Sequence, residues 1–388
     1  MKNILTLNSI SPVINDVFDT TYNVASDAEK PVGIILRSFK MQGYPLCPET
    51  IAVARAGAGV NNIPVDEYAE KGVVVFNTPG ANANAVKELV VAALIMGARN
   101  IGDAIKWVDT LKGKGEETPK LVEKGKSQFV GSEIAGKTFG VIGLGAIGAQ
   151  VANCALGLGM NVLGYDPFLS VNAALKLSRH VNVVRELDDV IKNSDFITIH
   201  IPYIASQNKG LINAGVIRKM KDGVTIINCA RGELVDNADI IKATESGKVA
   251  RYITDFPAEE LIGVKNIICT PHIGASTTEA EDNCAEMAAK QLIDYIENGN
   301  IVNSVNYPAC SMPRTTPCRL LVLHKNVANI LSKITGTVGN AGVNIAHLSN
   351  QSKGNFAATM IDADADVSDS VAKEIKGIDG VIKVRVIK

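Results

Sequence analysis

The chain has 388 residues, of which 46% are hydrophobic and 20% are charged, and its formal net charge at pH 7 is −1. This length allows two or three domains with their own cores, and the near-neutral charge excludes a global basic field for nucleic acid or an anionic membrane surface. The longest apolar run, Leu89–Met96, is too short to span a bilayer. The seven cysteines lack C-x-x-C spacing and no signal-peptide pattern is present, so we expect a cytoplasmic protein without disulfides or a bound metal.

Short β-rich runs alternate with helical patterns along most of the chain. The first predicted strands are Ile4–Leu7, Gly33–Leu36, Ile51–Ala54 and Val73–Phe76, and one long helix is predicted from about Ala83 to Trp107. A solvated surface segment is predicted between Lys112 and Lys126. The second series of predicted strands comprises Phe139–Ile142, Asn161–Tyr165, Phe196–His200, Val224–Asn228, Tyr252–Thr254 and Asn266–Cys269. Strands that alternate with helices indicate an α/β fold with doubly wound parallel sheets.

A third pattern follows the segment Asn303–Pro317, which carries three prolines and is predicted to be a linker. The predicted order is strand, helix, strand, strand, helix, strand, at Arg319–Leu323, Val327–Asn340, Val343–Asn350, Phe356–Asp362, Ser368–Lys376 and Val381–Ile387. This βαββαβ order in about 70 residues is typical of a ferredoxin-like domain.

Three glycines, Gly143, Gly145 and Gly148, have the G-x-G-x-x-G spacing of a dinucleotide-binding turn between a predicted strand and a predicted helix. In such a turn the first glycine permits the tight bend, the second lets the backbone approach a pyrophosphate, and the third lets the helix pack on the strand. The helix N-terminus, which includes Ala146 and Ile147, offers free N–H groups to the phosphates. Asp166 ends the next strand, where a carboxylate accepts hydrogen bonds from ribose hydroxyls and repels a 2′-phosphate. The pattern therefore predicts NAD rather than NADP.

The position of this turn also predicts the domain organisation. Because the Rossmann unit begins beyond residue 100, another α/β lobe must precede it, and the helical pattern from about Thr277 to Asn298 is expected to return to that lobe. We therefore predict a flavodoxin-like substrate-binding domain at 1–98 and 277–303, an inserted NAD-binding Rossmann domain at 99–276, a linker at 304–317 and a ferredoxin-like domain at 318–388.

Three candidate catalytic residues follow consecutive strands of the Rossmann domain, namely Arg231, Glu260 and His272. Loops at the carboxyl ends of parallel strands line the ligand crevice. Oxidation of a hydroxy acid needs a guanidinium for the carboxylate, a base near neutrality for the hydroxyl proton, and a carboxylate that orients that base. Each residue alone is more often a solvent-facing loop residue, but their joint position favours catalysis. His200 also ends a predicted strand. Two roles are equally open for it, namely lining the adenine side of the cofactor or simply capping the strand.

A candidate anion site lies in the first lobe. Arg55 directly follows a predicted strand and is followed by Ala56 and Gly57. The positive charge of Arg55 would then lie next to backbone N–H groups that a glycine-containing turn leaves available to bind an anion. Asn82, in the turn-rich loop before the long helix, is a further candidate ligand. Glycine and asparagine also form ordinary turns, so from spacing alone the binding role and the turn role are equally open. The predicted cleft between the two lobes would bring Arg55 opposite Arg231 and His272.

Together these segments resemble the D-isomer-specific 2-hydroxyacid dehydrogenases over essentially the whole chain. The matching segments are 55–60, 76–79, 136–148, 228–236 and 271–277. The resemblance implies that Arg231 holds the substrate carboxylate, that His272 is the acid/base and that Glu260 is its partner. It places the 55–57 segment and Asn82 at the substrate phosphate. It also implies contacts with the nicotinamide side of the cofactor for Thr78, Cys229, Ala230, Asp255, Gly274 and Ala275.

Within the family, the resemblance is to members that oxidise D-3-phosphoglycerate to 3-phosphohydroxypyruvate with NAD, the entry to L-serine synthesis. Residues 318–388 resemble an ACT domain, and His324, Asn326 and Asn344 match positions that bind serine in regulated members. Ala328-Asn329 stands where the family usually has Pro-Gly, and Asp255-Phe-Pro-Ala-Glu-Glu replaces the commoner Asp-Val-Phe-Thr-Glu-Glu. The resemblance also implies a homodimer through the cofactor domain, or a homotetramer through ACT pairing.

Three alternatives stay open from the sequence. The substrate of a related dehydrogenase would be glycerate, lactate or 2-hydroxyglutarate. A non-catalytic NAD-sensing binding protein on the same fold would retain the three candidate catalytic residues. The ACT unit would also serve as a structural dimerisation module without an effector.

Overall fold

The computed structural model describes all 388 residues, which form sixteen β-strands and thirteen α-helices. The strands are β1 (Lys2–Leu7), β2 (Tyr22–Ala25), β3 (Gly33–Leu36), β4 (Ala52–Arg55), β5 (Val74–Phe76), β6 (Thr138–Ile142), β7 (Asn161–Tyr165), β8 (Asn182–Val183), β9 (Phe196–Ile199), β10 (Val224–Asn228), β11 (Val249–Thr254), β12 (Ile267–Cys269), β13 (Cys318–Lys325), β14 (Ile345–Lys353), β15 (Phe356–Ala363) and β16 (Val381–Ile387).

The helices are α1 (Ile14–Val17), α2 (Val65–Glu70), α3 (Ala83–Arg99), α4 (Ile101–Asp109), α5 (Thr118–Gly125), α6 (Ala146–Gly157), α7 (Val171–Ala174), α8 (Leu187–Asn193), α9 (Ala214–Lys219), α10 (Asn237–Glu245), α11 (Thr278–Asn298), α12 (Ile330–Asn340) and α13 (Asp369–Lys376). Short 3-10 helices occur at Gly115–Glu117, Lys126–Phe129, Gly232–Leu234 and Glu259–Leu261. None of the helices combines the length and the apolar character that crossing a lipid bilayer requires.

The chain divides into two compact units, Met1–Ala81 with Thr278–Lys388, and Asn82–Thr277. The first unit holds a five-stranded parallel sheet in the order β2-β1-β3-β4-β5 and a four-stranded antiparallel sheet in the order β14-β15-β13-β16. The second holds a seven-stranded parallel sheet in the order β12-β11-β10-β9-β6-β7-β8. The predicted α/β architecture with Rossmann-type parallel sheets is confirmed. Strands β2 and β8 were not predicted, because both are short and carry exposed polar residues that mask a strand pattern.

Helix α11 packs on the parallel sheet of the first unit. Its buried residues recur every three or four positions, which places them on one face of the helix. Ala288 and Leu292 on this face join Ile4 and Ile35 of the sheet in one hydrophobic core. Gly33 lies under the helix, where a Cβ would approach Leu292 within 3.4 Å.

The prediction of one continuous helix from Ala83 to Trp107 was wrong at Asn100. Helix α3 ends at Arg99, Asn100 has a φ of +51°, and α4 begins at Ile101. Asparagine tolerates the left-handed conformation better than most residues, and its side-chain amide here donates to the Val130 carbonyl at 3.1 Å. The apolar periodicity continues on both sides of the break and therefore did not reveal it. The predicted surface segment contains α5, none of whose residues is buried.

The C-terminal sheet follows the predicted βαββαβ order and is covered on both faces. Leu320 and Val322 of β13 face a core with α12 and α13. Leu321 and Leu323 of the same strand face the core of the parallel sheet, where Tyr307 is also buried. The segment predicted as a linker is thus packed into this core, because Tyr307 inserts its ring and donates a hydrogen bond to the Ala69 carbonyl at 2.6 Å. Its proline-rich composition did not indicate this packing.

Candidate active site

The turn between β6 and α6 is rich in glycine, and each of its three glycines has a different steric environment. Gly143 has a φ of +92°, and a Cβ there would lie 2.6 Å from the His200 carbonyl oxygen. A Cβ on Gly148 would lie 1.8 Å from the Gly143 carbonyl oxygen, so α6 approaches β6 only with glycine at this position. Gly145 is exposed and has nothing within 4 Å of its missing Cβ. Open space at the second glycine is what close approach of a pyrophosphate requires, so these residues fit a dinucleotide.

Asp166 lies at the end of β7 beside this turn. One carboxylate oxygen accepts a hydrogen bond from the Leu144 backbone N–H and the other accepts one from Phe168, both at 2.9 Å. These two bonds fix the carboxylate, and each oxygen keeps a lone pair for a further donor. The half-buried carboxylate therefore keeps the capacity to accept further hydrogen bonds.

The backbone of His200 packs against the same turn, and part of its side chain is buried. Its Nε2 is 2.9 Å from the Thr198 hydroxyl, whereas Nδ1 is buried without a hydrogen-bond partner. Burial lowers the pKa of His200 to about 3, so the imidazole is neutral near neutral pH. The sequence left two roles open for His200, an adenine contact and a strand cap. The packing of its backbone against Gly143 supports the strand cap, which is a structural role.

The loop that carries His272 is anchored through its backbone. His272 has a φ of +57°, and its N–H donates to the Thr270 carbonyl at 3.0 Å. The buried carboxylate of Asp255 accepts hydrogen bonds from the Thr270 hydroxyl at 2.6 Å and from the N–H groups of Ile273 at 2.9 Å and Gly274 at 2.7 Å. Three bonds to one carboxylate hold the histidine in an otherwise sparsely populated conformation. Asp255 and Gly274 were both predicted to contact the cofactor. In the structure, the Gly274 N–H donates a hydrogen bond to the Asp255 carboxylate.

Arg231 and His272 both contact the ring of Phe256. The Phe256 and His272 ring centroids are 4.7 Å apart with an interplanar angle of 47°, and the Arg231 guanidinium carbon lies 5.9 Å from the Phe256 centroid. Arg231 is half-buried, and its Nη1 donates to the Ala230 carbonyl at 2.6 Å. The structure therefore brings two of the three candidate catalytic side chains to one aromatic ring. Sequence reasoning missed Phe256, although an aromatic residue directly after Asp255 at a strand end was a signal.

Glu260 has a partner other than the predicted one. Its Oε1 accepts a hydrogen bond from the Asn237 side chain at 2.8 Å, and this bond lowers the pKa of the exposed carboxyl below its usual value. His272 makes no hydrogen bond to Glu260 in this structure, and Phe256 is the side chain that contacts its ring. The spacing of Glu260 in the chain did not reveal this, because Asn237 at the start of α10 competes for the carboxylate.

Two of the predicted nicotinamide-side residues of the second unit, Cys229 and Ala230, follow the end of β10. The Ala230 N–H donates to the Asn228 side chain at 3.1 Å, and Asn228 also donates to the Arg231 carbonyl at 2.8 Å. These bonds order the turn that presents Arg231. Burial raises the pKa of the Cys229 thiol to about 12, so the thiol stays protonated at neutral pH. Ala275 is half-buried, next to the anchored Gly274.

In the first unit, Arg55 lies at the end of β4 against a glycine. Its Nε donates to the Arg37 carbonyl at 3.0 Å, and a Cβ on Gly57 would lie 2.3 Å from its Nη1. Gly57 has a φ of +147°, and its N–H donates to the Thr78 hydroxyl at 2.7 Å. Ala56 is buried, and Thr78 is fully buried. Asn82 precedes α3 in the other unit and makes no capping hydrogen bond with its side chain.

The three candidate effector residues lie in the C-terminal sheet and its loops. His324 is buried, with Nδ1 2.7 Å from the Lys325 carbonyl and Nε2 2.8 Å from the Thr359 hydroxyl, and burial lowers its pKa. Asn326 is exposed and donates to the Gly354 carbonyl at 3.2 Å. Asn344 donates to the Asp364 carboxylate at 2.9 Å. Both ring nitrogens of His324 thus have partners within the sheet.

Comparison with known proteins extends these observations. Residues 91–274 match the NAD binding domain of the D-isomer specific 2-hydroxyacid dehydrogenases. The D-3-phosphoglycerate dehydrogenase of Haemophilus influenzae is 32% identical over 352 residues, which are 88% of this chain and 82% of that protein. That of Archaeoglobus fulgidus is 38% identical over 264 residues, 66% of this chain and 47% of that protein. This chain spans about half the length of several such curated relatives.

A solved structure agrees with these matches. The NAD⁺-bound 3-phosphoglycerate dehydrogenase of Entamoeba histolytica superimposes with a TM-score of 0.61 and 26% identity, over 79% of this chain and 98% of that one. The similarity to the Haemophilus protein extends across most of both chains and includes the glycine-rich turn and the loops of Arg231 and His272. The chain therefore belongs to the D-isomer-specific 2-hydroxyacid dehydrogenase family.

Proposed function

We propose that this protein oxidises D-3-phosphoglycerate to 3-phosphohydroxypyruvate with NAD, the first step of L-serine synthesis. The observation that carries the reaction class is the placement of Arg231 and His272 on one aromatic ring, within a unit that also has the open glycine turn. The choice of substrate is supported by the Haemophilus influenzae relative, which is named D-3-phosphoglycerate dehydrogenase and matches over most of its length.

The roles of the side chains follow from their chemistry. Arg231 offers two parallel N–H donors, which orient the substrate carboxylate. His272 takes the proton of the C2 hydroxyl. Bound NAD supplies the hydride acceptor. Gly145 would lie against the pyrophosphate, and Asp166 would accept hydrogen bonds from the ribose. Glu260 is the proposed partner of His272 and would exchange its hydrogen bond from Asn237 for one from the imidazole.

The first unit would contribute the phosphate recognition. Arg55 lies at the carboxyl end of a parallel strand, and Gly57 leaves room for its guanidinium against the backbone. A planar guanidinium pairs with phosphate in two parallel hydrogen bonds. The parallel-sheet part of this unit would thus be the substrate-binding domain, and the second unit would be the NAD-binding domain.

For residues 318–388 we propose an ACT domain. The strand order β14-β15-β13-β16 with α12 and α13 on one face supports this assignment. Serine is the proposed effector; Asn326 and Asn344 are exposed and His324 is buried, and Asn344 lies near the start of β13 whereas His324 and Asn326 lie near its end. A structural role without an effector is the alternative outcome.

We propose that the protein self-associates through helix α4 of the second unit. This helix has no buried residue in the single chain and exposes Ile101, Ile105 and Val108. Exposed apolar patches mark sites of association, and a second copy of this chain is the proposed partner. The dimer or tetramer would function in the cytoplasm, and light scattering of the purified protein measures its mass.

The decisive experiment is NADH formation at 340 nm from D-3-phosphoglycerate, D-glycerate, D-lactate and D-2-hydroxyglutarate, each with NAD and with NADP. We expect the highest kcat/KM with D-3-phosphoglycerate and NAD. A higher value with an unphosphorylated acid would assign another substrate of the family. No turnover with any acid, together with binding of NADH, would favour a cofactor-sensing protein. Addition of L-serine tests the effector assignment.

A further inference from the structure

The ring of Phe256 occupies a defined position at the end of β11. Its backbone N–H donates to the Thr254 hydroxyl at 3.1 Å, and its Cβ lies 3.3 Å from the place where a Cβ on Gly232 would stand. Gly232 follows Arg231 in the chain, so the backbone of the arginine loop packs directly on the phenylalanine. A larger residue at position 232 would push the ring away from its neighbours. The backbone and the Cβ of Phe256 are therefore held from two sides.

The backbone of His272 is held by hydrogen bonds, but its imidazole is not. Asp255 binds the N–H groups of the two following residues, and Thr270 accepts from the His272 N–H. These bonds place the Cα of an exposed histidine and leave both side-chain torsions free. The contact that restricts its ring is the tilted packing on Phe256 at 4.7 Å. Aromatic pairs at this separation have a preferred geometry, so the contact limits rotation of the imidazole.

The same ring also faces the guanidinium of Arg231. The 5.9 Å separation is within the range in which a cation is attracted by the electron-rich face of an aromatic ring. The Arg231 Nη1 bond to the Ala230 carbonyl restricts one end of the guanidinium, and the aromatic contact restricts its plane. Arg231 and His272, which lie 41 residues apart, thus share one aromatic neighbour.

We propose that Phe256 is a positioning residue that sets the orientation of Arg231 and His272 relative to each other. This role rests on the proposed function, in which the guanidinium fixes the substrate carboxylate and the imidazole must then meet the adjacent C2 hydroxyl. The carboxylate and the hydroxyl of a 2-hydroxy acid are on neighbouring carbons, so the two side chains must be aligned together. A displacement of about 1 Å at such a site lowers the rate by about 100-fold.

The kinetic test uses Phe256→Leu, which keeps apolar bulk but removes the aromatic face, and Phe256→Tyr, which keeps the face. We expect Phe256→Leu to lower kcat for D-3-phosphoglycerate by about 10- to 100-fold, with an unchanged Kd for NADH. Phe256→Tyr should restore kcat to within a few-fold of the wild type. The matched control is Phe196→Leu, the same change in the core of the same unit, where Phe196 is 5% exposed. It should lower the melting temperature without a comparable change in kcat.

A second measurement does not depend on activity. The chain has five histidines, so the imidazole C–H signals of His272 can be assigned in a proton–carbon NMR spectrum by comparison with His272→Asn. An adjacent aromatic ring shifts these signals, and Phe256→Leu should move them while Phe196→Leu leaves them in place. If Phe256→Leu does not fold, Phe256→Met replaces it in both measurements.

The outcomes separate this inference from the proposed function. A wild-type protein without turnover on any 2-hydroxy acid overturns the proposed function and the positioning role with it. With an active wild type, an unchanged kcat in Phe256→Leu overturns the positioning role alone. A lowered kcat without movement of the His272 signals also overturns it, because the effect would then not pass through the imidazole. A lowered kcat, moved signals and rescue by tyrosine together support it.

Discussion

Arg319 and Asp362 form a fully buried, bidentate ion pair between neighbouring strands of the C-terminal sheet. The Nε–Oδ1 distance is 2.5 Å and the Nη2–Oδ2 distance is 2.8 Å. The remaining donors of Arg319 reach the carbonyls of Asn298 and Pro313, both at 3.0 Å. Since Asn298 ends helix α11, the guanidinium also caps one of the carbonyls that a helix C-terminus leaves without a partner. The pair therefore ties the C-terminal sheet to the helix that packs on the parallel sheet.

Arg385 contributes to the same helix end. Its guanidinium donates to the carbonyls of Tyr295 at 2.9 Å and Ile296 at 2.8 Å, and lies 4.7 Å from the Tyr295 ring centroid. Positive charge at a helix C-terminus also interacts favourably with the helix dipole. Two arginines of the C-terminal sheet thus cap α11, which explains why residues 1–81 and 278–388 form one compact unit.

Removal of one partner of the buried pair should cost more than removal of both. Asp362→Asn leaves the Arg319 charge buried without a counterion, and we expect a loss of about 3–5 kcal/mol in the free energy of unfolding. The double variant Arg319→Met with Asp362→Leu should lose less, because no buried charge is left, while the carbonyls of Asn298 and Pro313 each lose a donor. Urea unfolding measures both. Asp366→Asn, in the exposed pair with Lys388, is the control and should change stability by less than about 1 kcal/mol. Equal losses for the single and the double variant would contradict this account.

His272→Ala should abolish most of the turnover. Loss of the proposed acid/base leaves the hydroxyl proton without an acceptor, so we expect kcat to fall by about 10²- to 10⁴-fold. The Kd for NADH, measured by fluorescence titration, should change little, because the glycine turn and Asp166 are unaffected. His347→Ala, which changes an exposed histidine of β14, is the matched control. Turnover near the wild-type value in His272→Ala would remove this residue from the mechanism.

Arg55→Ala should discriminate between substrates with and without a phosphate. The loss of charge-assisted hydrogen bonds to the phosphate should raise the KM for D-3-phosphoglycerate by about 10- to 100-fold. The KM for D-glycerate, which lacks the phosphate, should rise much less. Steady-state kinetics of both substrates with the wild type and the variant test this. A similar rise for both substrates would place the phosphate elsewhere.

Acid should destabilise the second unit through His200. Burial lowers the pKa of His200 to about 3 in the folded chain, whereas an unfolded histidine titrates near 6.5. Between these values the unfolded state binds the additional proton, so stability is present above pH 6.5 and is lost as the pH falls toward 3. The slope due to this residue is up to about 1.4 kcal/mol per pH unit.

The variant His200→Leu isolates this contribution. Urea midpoints at pH 7, 6 and 5 should fall less steeply for His200→Leu than for the wild type. His180→Leu, at an exposed position, should keep the wild-type slope. Parallel slopes for the wild type and His200→Leu would show that the imidazole is protonated in the folded chain.

Features that depend on residues adjacent in the chain could be predicted from the amino-acid sequence. Buried strands such as β3 and β5 are continuous apolar runs, and the glycine turn at Gly143 needs a strand, a bend and a helix that are adjacent in the chain. The βαββαβ order of the C-terminal sheet is also a series of local patterns. Arg231 and His272 could be grouped as candidate catalytic residues from the sequence, because parallel strands end at the same edge of a sheet.

The identity of side-chain partners, by contrast, depends on packing between distant segments and became visible in the three-dimensional structure. Apolar periodicity records that a residue is buried but not what it is buried against, so it did not show that Tyr307 anchors the predicted linker or that Arg319 caps α11. Spacing placed Glu260 near His272, yet Asn237 binds Glu260 and Phe256 contacts the imidazole. These pairings depend on the angles at which loops leave their strands. Packing sets those angles across segments distant in the chain, and no single segment encodes them.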